Sequence, residues 1–231
     1  QQNFVSAVSH ELKTPLTSIR MYGEILREGW ASEEKKRVYY DYIHDESERL
    51  SRLISNVLQL ARMTHNDLQV DLTPMHTMEL IDAIRPKVSS LAERAGFALQ
   101  WQCEDEAAQS IIPIDLDYFT QILINLLDNA IRYTPQGGRI DITVQPTTGG
   151  GVAVAFQDTG IGIRAADLPR IFDRFFRCDP SRSASGTGLG LSLAQAVAMA
   201  HGGEITVQSE PGQGSTFQVL LPRNGDKIDD S

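Results

Sequence analysis

The chain has 231 residues, of which 30 are acidic and 21 basic, giving a net charge of −9, and hydrophobic residues make up 41% of it. This composition is typical of a globular protein of one or two domains and excludes a disordered or collagen-like chain. The acidic balance argues against nucleic acid as a partner, because such binding usually requires a basic face.

Neither a membrane span nor a cysteine motif is present in the sequence. No apolar run approaches the roughly 18 residues that a span requires, so no membrane contact is expected of this chain. Cys103 and Cys178 belong to no metal or redox motif. Free thiols are typical of a reducing compartment, which predicts a cytoplasmic location.

Residues 1–66 are predicted to form a helical hairpin. Apolar residues recur at alternating steps of three and four from Val5 to Leu26, and again from Tyr39 to Leu60, as in the seam of a helical bundle. Gly29 separates the two helices. One hairpin cannot bury both seams, so we expect two copies to form a four-helix bundle, a homodimer through residues 1–66. The alternative is a hairpin packed against the rest of its own chain.

His10 lies on the outer face of the first helix, away from the seam. Thr14 follows one turn later on the same face, and Glu11 is adjacent. Pro15 removes a backbone donor and is expected to loosen or bend the helix beside His10. An exposed imidazole in such surroundings is a candidate nucleophile, since histidine titrates near neutrality. The alternative interpretation is a solvated surface histidine beside a helix bend.

The sequence after residue 66 changes to a mixed α/β pattern. We predict a linker over 67–76, a domain over 77–223 and a disordered tail over 224–231. The predicted helices are 77–95, broken or bent at Pro86, then 115–133, 165–172 and 189–201. The predicted strands are 97–103, 139–145, 152–157, 204–209 and 215–221.

Helix 115–133 carries a polar face that suggests a phosphate and metal site. Asn125, Asn129 and Arg132 lie one turn apart on that face, and Tyr133 ends the helix. An amide oxygen suits Mg²⁺, which commonly keeps substrate phosphates as its other ligands. Arg132 adds a cation for phosphate oxygens. The alternative is that the two asparagines only make helix–loop hydrogen bonds.

Asp158 directly follows a predicted strand and precedes Gly160 and Gly162. Two glycines let a flat ring lie close to the backbone, and a carboxylate there can accept a hydrogen bond from an exocyclic amine such as that of adenine. The alternative is a tight turn that the aspartate caps.

A third glycine cluster opens the helix predicted at 189–201, and comprises Gly186, Thr187, Gly188, Leu189 and Gly190. Backbone N–H groups at a helix start form an anion site that suits phosphates. The polar stretch 177–185 is predicted to be a mobile lid. Thr216, in a last glycine-rich turn, is a candidate to face the same pocket, but taken alone that motif is better explained by an ordinary glycine turn.

These motifs together make the chain resemble the sensor histidine kinases of two-component signalling. The motifs that carry the resemblance occur in the family's order: 4–16 resembles the H box, 125–130 the N box, 158–162 the G1 box, 172–176 the F box and 186–190 the G2 box. The resemblance implies a dimeric helical-hairpin domain forming a four-helix bundle, followed by an α/β-sandwich ATP-binding domain with a mixed sheet. It also implies a parent protein anchored in the cell membrane.

The resemblance implies specific roles for residues of the hairpin. His10 would take the γ-phosphoryl group of ATP and pass it to an aspartate in the receiver domain of a response regulator. Glu11 would assist proton movement from the ring. Thr14 would help to place a water that dephosphorylates the regulator.

The resemblance also implies roles in the second domain, with ATP and Mg²⁺ as cofactors. Asn129, with Asn125, would hold Mg²⁺, and Asp158 would bind the adenine amino group with help from Thr216. The remaining candidate nucleotide-binding residues are Arg132, Tyr133, Gly160, Gly162, Phe175, Gly186, Thr187, Gly188, Leu189 and Gly190.

Two other functions fit parts of the sequence. An ATPase or ATP-gated clamp with the same nucleotide fold would hydrolyse ATP with water and would need no exposed histidine. A dimerisation scaffold with a degenerate nucleotide fold would bind no Mg²⁺-dependent ATP. Intact Asn129, Asp158 and Gly188 argue against the scaffold.

Overall fold

A computed structural model describes residues 2–64, 70–178 and 188–223, and side chains from residue 8 onward in the first helix. The chain divides into two compact units, a helical one and an α/β one. The helical unit consists of α1 (Gln2–Arg27) and α2 (Glu33–Thr64), which pack against each other as a hairpin. Gly29, with a φ of 71°, forms the left-handed step of the connecting turn.

The predicted seam is the face on which α1 and α2 meet. Its described members are buried or half-buried: Val8, Leu12, Pro15, Ile19, Tyr22, Leu26, Tyr39, Ile43, Glu46, Leu50, Leu53 and Val57. Tyr22 stacks on both Tyr39 and Tyr42, with ring centroids 5.2 and 5.1 Å apart. α1 continues as an α-helix through Pro15. Pro15 therefore does not break the helix beside His10. Its ring is buried in the seam, and this burial offsets the lost backbone hydrogen bond.

Several large apolar side chains on both helices remain exposed in the single hairpin. They include Leu16, Met21, Val38, Tyr42, Ile54 and Leu58, between 44% and 57% exposed. Ile54 and Leu58 lie one turn apart on α2 and so share a face. Among the described residues, no helix has the length and apolar character needed to cross a membrane.

The α/β unit contains seven strands and four helices within its described residues. In chain order they are β1 (Thr73–His76), α3 (Thr77–Arg94), β2 (Leu99–Cys103), α4 (Asp105–Gln109), β3 (Ile111–Ile114), α5 (Leu116–Tyr133), β4 (Ile140–Pro146), β5 (Val152–Asp158), α6 (Gly190–Ala200), β6 (Glu204–Glu210) and β7 (Gly214–Leu221). β1 and β3 form a separate antiparallel pair. The main sheet has the order β2-β4-β5-β7-β6. Because β2 and β4 are parallel and the other pairs antiparallel, the sheet is mixed, as predicted.

The unit is a two-layer sandwich whose core lies between the main sheet and the helices. α3, α5 and α6 pack side by side, and each contacts the sheet. Alternate residues of the central strands face these helices and are buried, among them Ile142, Val154 and Phe156. The apolar side of α5, with Ile122, Leu123, Leu126 and Leu127, lies in the same core. The α/β sandwich is thus confirmed.

Several local elements differ from the prediction. Residues 73–76, assigned to the linker, form β1, and β3 and α4 were not predicted. Residues 165–172 form turns around a short 3₁₀ segment, Leu168–Arg170, rather than a helix. α3 is not broken at Pro86, because that residue is exposed while Leu80, Ile84 and Val88 hold the opposite face in the core. The predicted tail 224–231 lies outside the described residues.

Candidate functional site

Asp158 is a buried carboxylate at the end of β5. Its residue is only 7% exposed, and its Oδ1 accepts a hydrogen bond of 2.8 Å from the Gly160 N–H. Burial raises the pKa of the Asp158 carboxyl above its ordinary value of 3.8, while the backbone N–H groups of Gly160 and Ser215 oppose the shift. The aspartate thus stabilises its own turn, and its carboxylate has further lone pairs able to accept a hydrogen bond from a ligand.

Gly160 and Gly162 bring the loop after β5 into close contact with backbone on two sides. A Cβ on Gly160 would lie 2.6 Å from both Asp158 Oδ1 and the Tyr133 carbonyl oxygen. A Cβ on Gly162, whose φ is 69°, would lie 2.0 Å from the Glu210 carbonyl oxygen. The Ile161 N–H also donates to the Tyr133 carbonyl at 3.0 Å. Larger residues would push the loop away from the end of α5.

Thr216 does not share a face with Asp158, contrary to the sequence prediction. In the β5–β7 register Asp158 pairs with Ser215, whereas Thr216 pairs with Gln157, which is exposed on the other face. Paired residues of antiparallel strands project to the same side of a sheet. Ser215, which is 8% exposed, is therefore the hydroxyl beside Asp158, and Thr216 lies on the opposite side.

Asn125 supplies an unsatisfied amide at the start of α6. The residue is 9% exposed, and its Nδ2 has no hydrogen-bond partner among the described residues. A Cβ on Gly190 would lie 3.8 Å from the Asn125 amide group, so the first turn of α6 packs directly on this side chain. A buried amide without a partner is costly, which points to a polar ligand at this place.

The other candidate residues of α5 extend from Asn125 toward the end of the helix. Asn129 and Arg132 are half-buried on the same face, and the Tyr133 side chain is 42% exposed. The backbone of Tyr133 reaches the Asp158 loop through the Ile161 hydrogen bond. α5 thereby links the Asp158 end of the site to the α6 end.

The donor set fits a magnesium–nucleotide rather than a metal held by protein alone. The described parts of the chain contain no group of three or more His, Cys, Asp or Glu side chains able to bind a metal ion. The amides of Asn125 and Asn129 offer oxygen ligands, and Mg²⁺ commonly completes its shell with waters and phosphates. The orphaned Asn125 amide, beside a helix N-terminus that favours anions, agrees with such a ligand.

The glycine cluster before α6 is only partly described. Gly188 has a φ of 65°, a conformation that favours glycine, and Gly190 is the first residue of α6. Gly186, Thr187 and most of the predicted lid over 177–185 lie outside the described residues. Phe175, ahead of the lid, has a φ of 65°, which is unusual for a non-glycine residue. Nearby, the Arg170 guanidinium lies 4.5 Å from the centroid of the Phe176 ring.

The hairpin carries the candidate nucleophile on an accessible surface. His10 and Thr14 are both exposed on α1, and Glu11 is half-buried. The Thr14 hydroxyl donates to the His10 carbonyl oxygen at 3.3 Å. The imidazole is therefore open to an approaching molecule, and the same-face hydroxyl is held one turn away.

Sequence reasoning missed two hydroxyl groups near Asp158. The Ser215 Oγ lies 2.9 Å from the Ser209 Oγ, which also bonds the Ile163 N–H and the Gly214 carbonyl oxygen, each at 2.8 Å. These bonds fix the loop after β5 to the β6–β7 hairpin. The two serines carried no motif signal of their own, and only the strand register brings them to the site.

Two family models match separate parts of the chain. Residues 1–66 match the His Kinase A (phospho-acceptor) domain, and residues 114–225 match the histidine kinase-, DNA gyrase B-, and HSP90-like ATPase domain. Together they cover about three quarters of the chain. The first boundary coincides with the helical unit, and the second match includes α5, Asp158 and α6.

Relatives and solved structures agree with this pair of domains. Sensor protein SrrB of Staphylococcus aureus is 34% identical over 226 residues, which is 96% of this chain and 38% of the relative. The chain thus spans well under half of that relative's length. The full-length ShkA structure, in complex with AMPPNP, is 26% identical with a TM-score of 0.68, covering 96% of this chain and 46% of that one.

Two more distant structures share the fold. The Acinetobacter baumannii histidine kinase AdeS is 22% identical with a TM-score of 0.71, covering 94% of this chain and 98% of that one. Histidine kinase ThkA, solved with the response regulator protein TrrA, is 23% identical with a TM-score of 0.70, covering 96% of this chain and 61% of that one. On the two domain matches and the SrrB similarity, the chain belongs to the sensor histidine kinases and comprises their catalytic core.

Proposed function

We propose that this chain transfers the γ-phosphoryl group of ATP to His10 and then to an aspartate of a response regulator. The observation that carries the proposal is the exposed imidazole of His10 in a chain whose other unit holds the buried Asp158 carboxylate. A nucleotide site alone would explain Asp158, but it would not explain the phospho-acceptor domain that carries His10.

The nucleotide would lie along α5, with adenine at one end and phosphates at the other. Asp158 accepts the hydrogen bond of the adenine amino group, and Gly160 and Gly162 let the loop that follows it pack against the Tyr133 and Glu210 carbonyl oxygens. The phosphates lie at the N-terminus of α6, beside Asn125 and Arg132. Mg²⁺, held by Asn129 and Asn125, would neutralise phosphate charge during transfer.

The chemical steps require an accessible ring nitrogen on His10 and no other covalent catalyst. A ring nitrogen of His10 forms a bond to the γ-phosphorus while the bond to the β,γ-bridging oxygen breaks, and ADP leaves. Glu11 takes the ring proton. In the second step a carboxylate oxygen of the regulator's receiver domain attacks the same phosphorus, and the N–P bond breaks. Thr14 would orient the water that later dephosphorylates the regulator.

The acceptor is tested by incubating the protein with γ-labelled ATP and Mg²⁺. We expect acid-labile, base-stable label on wild-type protein and none on the His10→Gln variant. His44→Gln is the matched control, because His44 is also exposed on the hairpin. Label that survives in His10→Gln would overturn the proposal, and ATP turnover without any label would favour the ATPase alternative. Chelation of Mg²⁺ is expected to abolish labelling.

The hairpin is proposed to dimerise into a four-helix bundle. The support is the exposed apolar surface of α2, including Ile54 and Leu58, which is typical of a surface covered by another chain. Light scattering should give twice the chain mass for wild-type protein. Ile54→Lys with Leu58→Lys should give the monomer mass, while Met199→Lys, at a 66% exposed site on α6, should not. A monomeric wild-type protein would contradict this part.

A further inference from the structure

His201 is a buried histidine whose two ring nitrogens are both engaged. The residue is 1% exposed. The Asp115 backbone N–H donates to Nε2 at 3.0 Å, and Nδ1 lies 2.7 Å from the Val197 carbonyl oxygen. A carbonyl only accepts and an N–H only donates, so the ring is the neutral Nδ1–H tautomer.

The position of His201 is fixed by the way α6 ends. The Gly203 N–H bonds the Ala198 carbonyl oxygen at 3.0 Å and the Gly202 N–H bonds that of Met199 at 2.9 Å, with Gly202 at a φ of 73°. This is a Schellman ending with His201 at the C-cap. A Cβ on Gly203 would lie 2.0 Å from the Leu220 carbonyl oxygen, so the ending also abuts β7. His201 therefore has little freedom to move relative to α6.

Asp115 is fixed at the start of α5, just as His201 is fixed at the end of α6. It is the N-cap of α5, and its Oδ1 accepts from the N–H groups of Asp117 and Tyr118, both at 3.2 Å. The His201–Asp115 hydrogen bond thus connects the end of one helix to the start of the other. Near it the Phe119 ring lies edge-on to the imidazole, with centroids 6.5 Å apart.

The other end of the same helix pair is the phosphate end of the site. There Gly190, the first residue of α6, packs on Asn125. α5 and α6 therefore run antiparallel, and the two contacts mark the two ends of α6: His201 meets the start of α5, and Gly190 meets its middle. Gly190 and His201 are 11 residues apart, which is about 16.5 Å of helix at 1.5 Å per residue, and we take so short a helix to shift as one rigid unit. A shift along the axis at His201 therefore appears at Gly190.

We propose that His201 is a positioning residue for nucleotide phosphates. Its hydrogen bond to Asp115 sets the position of α6 along α5, and thereby the distance between the α6 N-terminus and the Asn125 amide. The inference rests on the proposed function, because it assumes that phosphates bind at this end. It assigns His201 no contact with the nucleotide.

Two substitutions separate the bond to Asp115 from the bond to Val197. In His201→Gln, the side chain is long enough to place an oxygen near the Nε2 position and to accept from Asp115. In His201→Asn, the shorter amide can donate to Val197 but does not reach Asp115. Both remove ring volume from the same buried site. Val88→Ala, on the buried face of α3, is the control for general destabilisation.

The readout compares ligands with and without phosphates. Binding of MgADP and of adenosine is measured by calorimetry, each with the wild type and the three variants. We expect His201→Asn to lose at least tenfold in MgADP affinity with adenosine unchanged, because displacing the α6 N-terminus weakens its charge-assisted hydrogen bonds to the phosphates. His201→Gln should stay within about threefold of the wild type, and Val88→Ala should not change the ratio of the two affinities. An equal loss for both ligands, or no loss in His201→Asn, would overturn the inference.

A second measurement needs no variant at His201. If the bond positions the phosphate site, ligands with phosphates must in turn strengthen the bond. Hydrogen exchange of the Asp115 amide should therefore slow when wild-type protein binds MgADP and should not slow with adenosine. Unchanged exchange under saturating MgADP would refute the inference while leaving the proposed function intact. Failure of wild-type protein to bind MgADP would instead contradict the proposed function and, with it, this inference.

Discussion

Asp158 and Ser215 stand directly opposite each other in the β5–β7 pair, on the face of the sheet that the helices cover. The neighbouring Gly214 has a φ of 95°, and a Cβ there would lie 1.9 Å from the Asp158 carbonyl oxygen. The two strands therefore approach so closely that only glycine fits beside the pair. The Ser215 backbone N–H hydrogen-bonds the Asp158 carboxylate, and the Ser215 side chain projects to the same face of the sheet.

The first prediction separates the two adjacent hydroxyl residues of β7. Ser215→Ala should lower ATP affinity about two- to tenfold, because a hydrogen bond contributes about 0.5–1.5 kcal/mol. Thr216→Ala should leave ATP affinity unchanged, since Thr216 lies on the opposite face. Calorimetric titration with MgATP measures both. A larger loss in Thr216→Ala would show that the adenine site uses the other face of the sheet.

The difference between Ser215 and Thr216 illustrates which residues of the site can be predicted from the sequence. Asp158, Asn125 and the glycines were identifiable because their residue types and spacing carry the chemistry by themselves. The choice between Ser215 and Thr216 depends on strand register, and a shift of one residue moves a side chain to the other face. Register is set by the pairing of β5 with β7, which the local sequence does not encode.

The fold could be predicted where the hydrophobic pattern repeats over a long segment, and the prediction failed where the elements are short. The helices of the hairpin, α5 and the five strands of the main sheet each repeat their pattern over several residues. β1 and β3 have four residues each, and Pro74 pairs with Pro113 between them. Proline usually indicates a turn and is rare inside strands, so the sequences of these two strands are typical of loops. At Pro86 a break or bend was predicted, but α3 continues through it because burial of the helix's apolar face offsets the lost hydrogen bond.

The second prediction concerns the charge of Asp158. Asp158→Asn keeps the shape of the side chain but removes the carboxylate. ATP affinity should fall about 10- to 150-fold, the effect of losing about 1.5–3 kcal/mol from a hydrogen bond to a charged group. Asp141→Asn is the control, since Asp141 pairs with Arg139 at 2.7 Å on the other face of the sheet. Equal losses in the two variants would indicate a general charge effect.

The third prediction is a pH dependence of the same residue. Because burial raises the pKa of Asp158, its carboxylate gains a proton at a higher pH than the ordinary value of 3.8. ATP affinity should fall as the pH falls through this raised pKa, and the fall should be absent in Asp158→Asn. An identical pH profile in the two proteins would contradict the assignment of Asp158 to the adenine amine.

Stability should change with pH in the opposite direction. A raised pKa in the folded state means that the protonated carboxyl favours folding. That contribution is complete below the unfolded pKa and is lost as the pH rises through the folded pKa. Asp158→Asn should therefore be at least as stable as the wild type toward urea at neutral pH, and it should lose this advantage in acid. A variant less stable than the wild type at neutral pH would refute this.

The fourth prediction compares two glycines with similar backbone angles. Gly162→Ala combines a φ of 69° with a Cβ 2.0 Å from the Glu210 carbonyl oxygen, whereas Gly212→Ala has a φ of 79° and no atom within 4 Å. Gly212→Ala should lower the free energy of unfolding by about 1–2 kcal/mol, the cost of a left-handed residue. Gly162→Ala should cost more and should also lower ATP affinity. Equal costs in urea denaturation would mean that the loop moves aside freely.

The fifth prediction concerns two threonines of α1 with the same local bond. The Thr14 hydroxyl donates to the His10 carbonyl oxygen at 3.3 Å, and the Thr17 hydroxyl donates to that of Lys13 at 2.8 Å. Both threonines are exposed, so either alanine variant removes one such bond with little change in packing. Thr14→Ala should still be labelled on His10 by γ-labelled ATP, because transfer to the imidazole needs no water. It should lose most dephosphorylation of a phosphorylated receiver domain, because that step requires a positioned water. Thr17→Ala should retain both reactions, and a loss of dephosphorylation in Thr17→Ala as well would assign the effect to the helix rather than to the Thr14 hydroxyl.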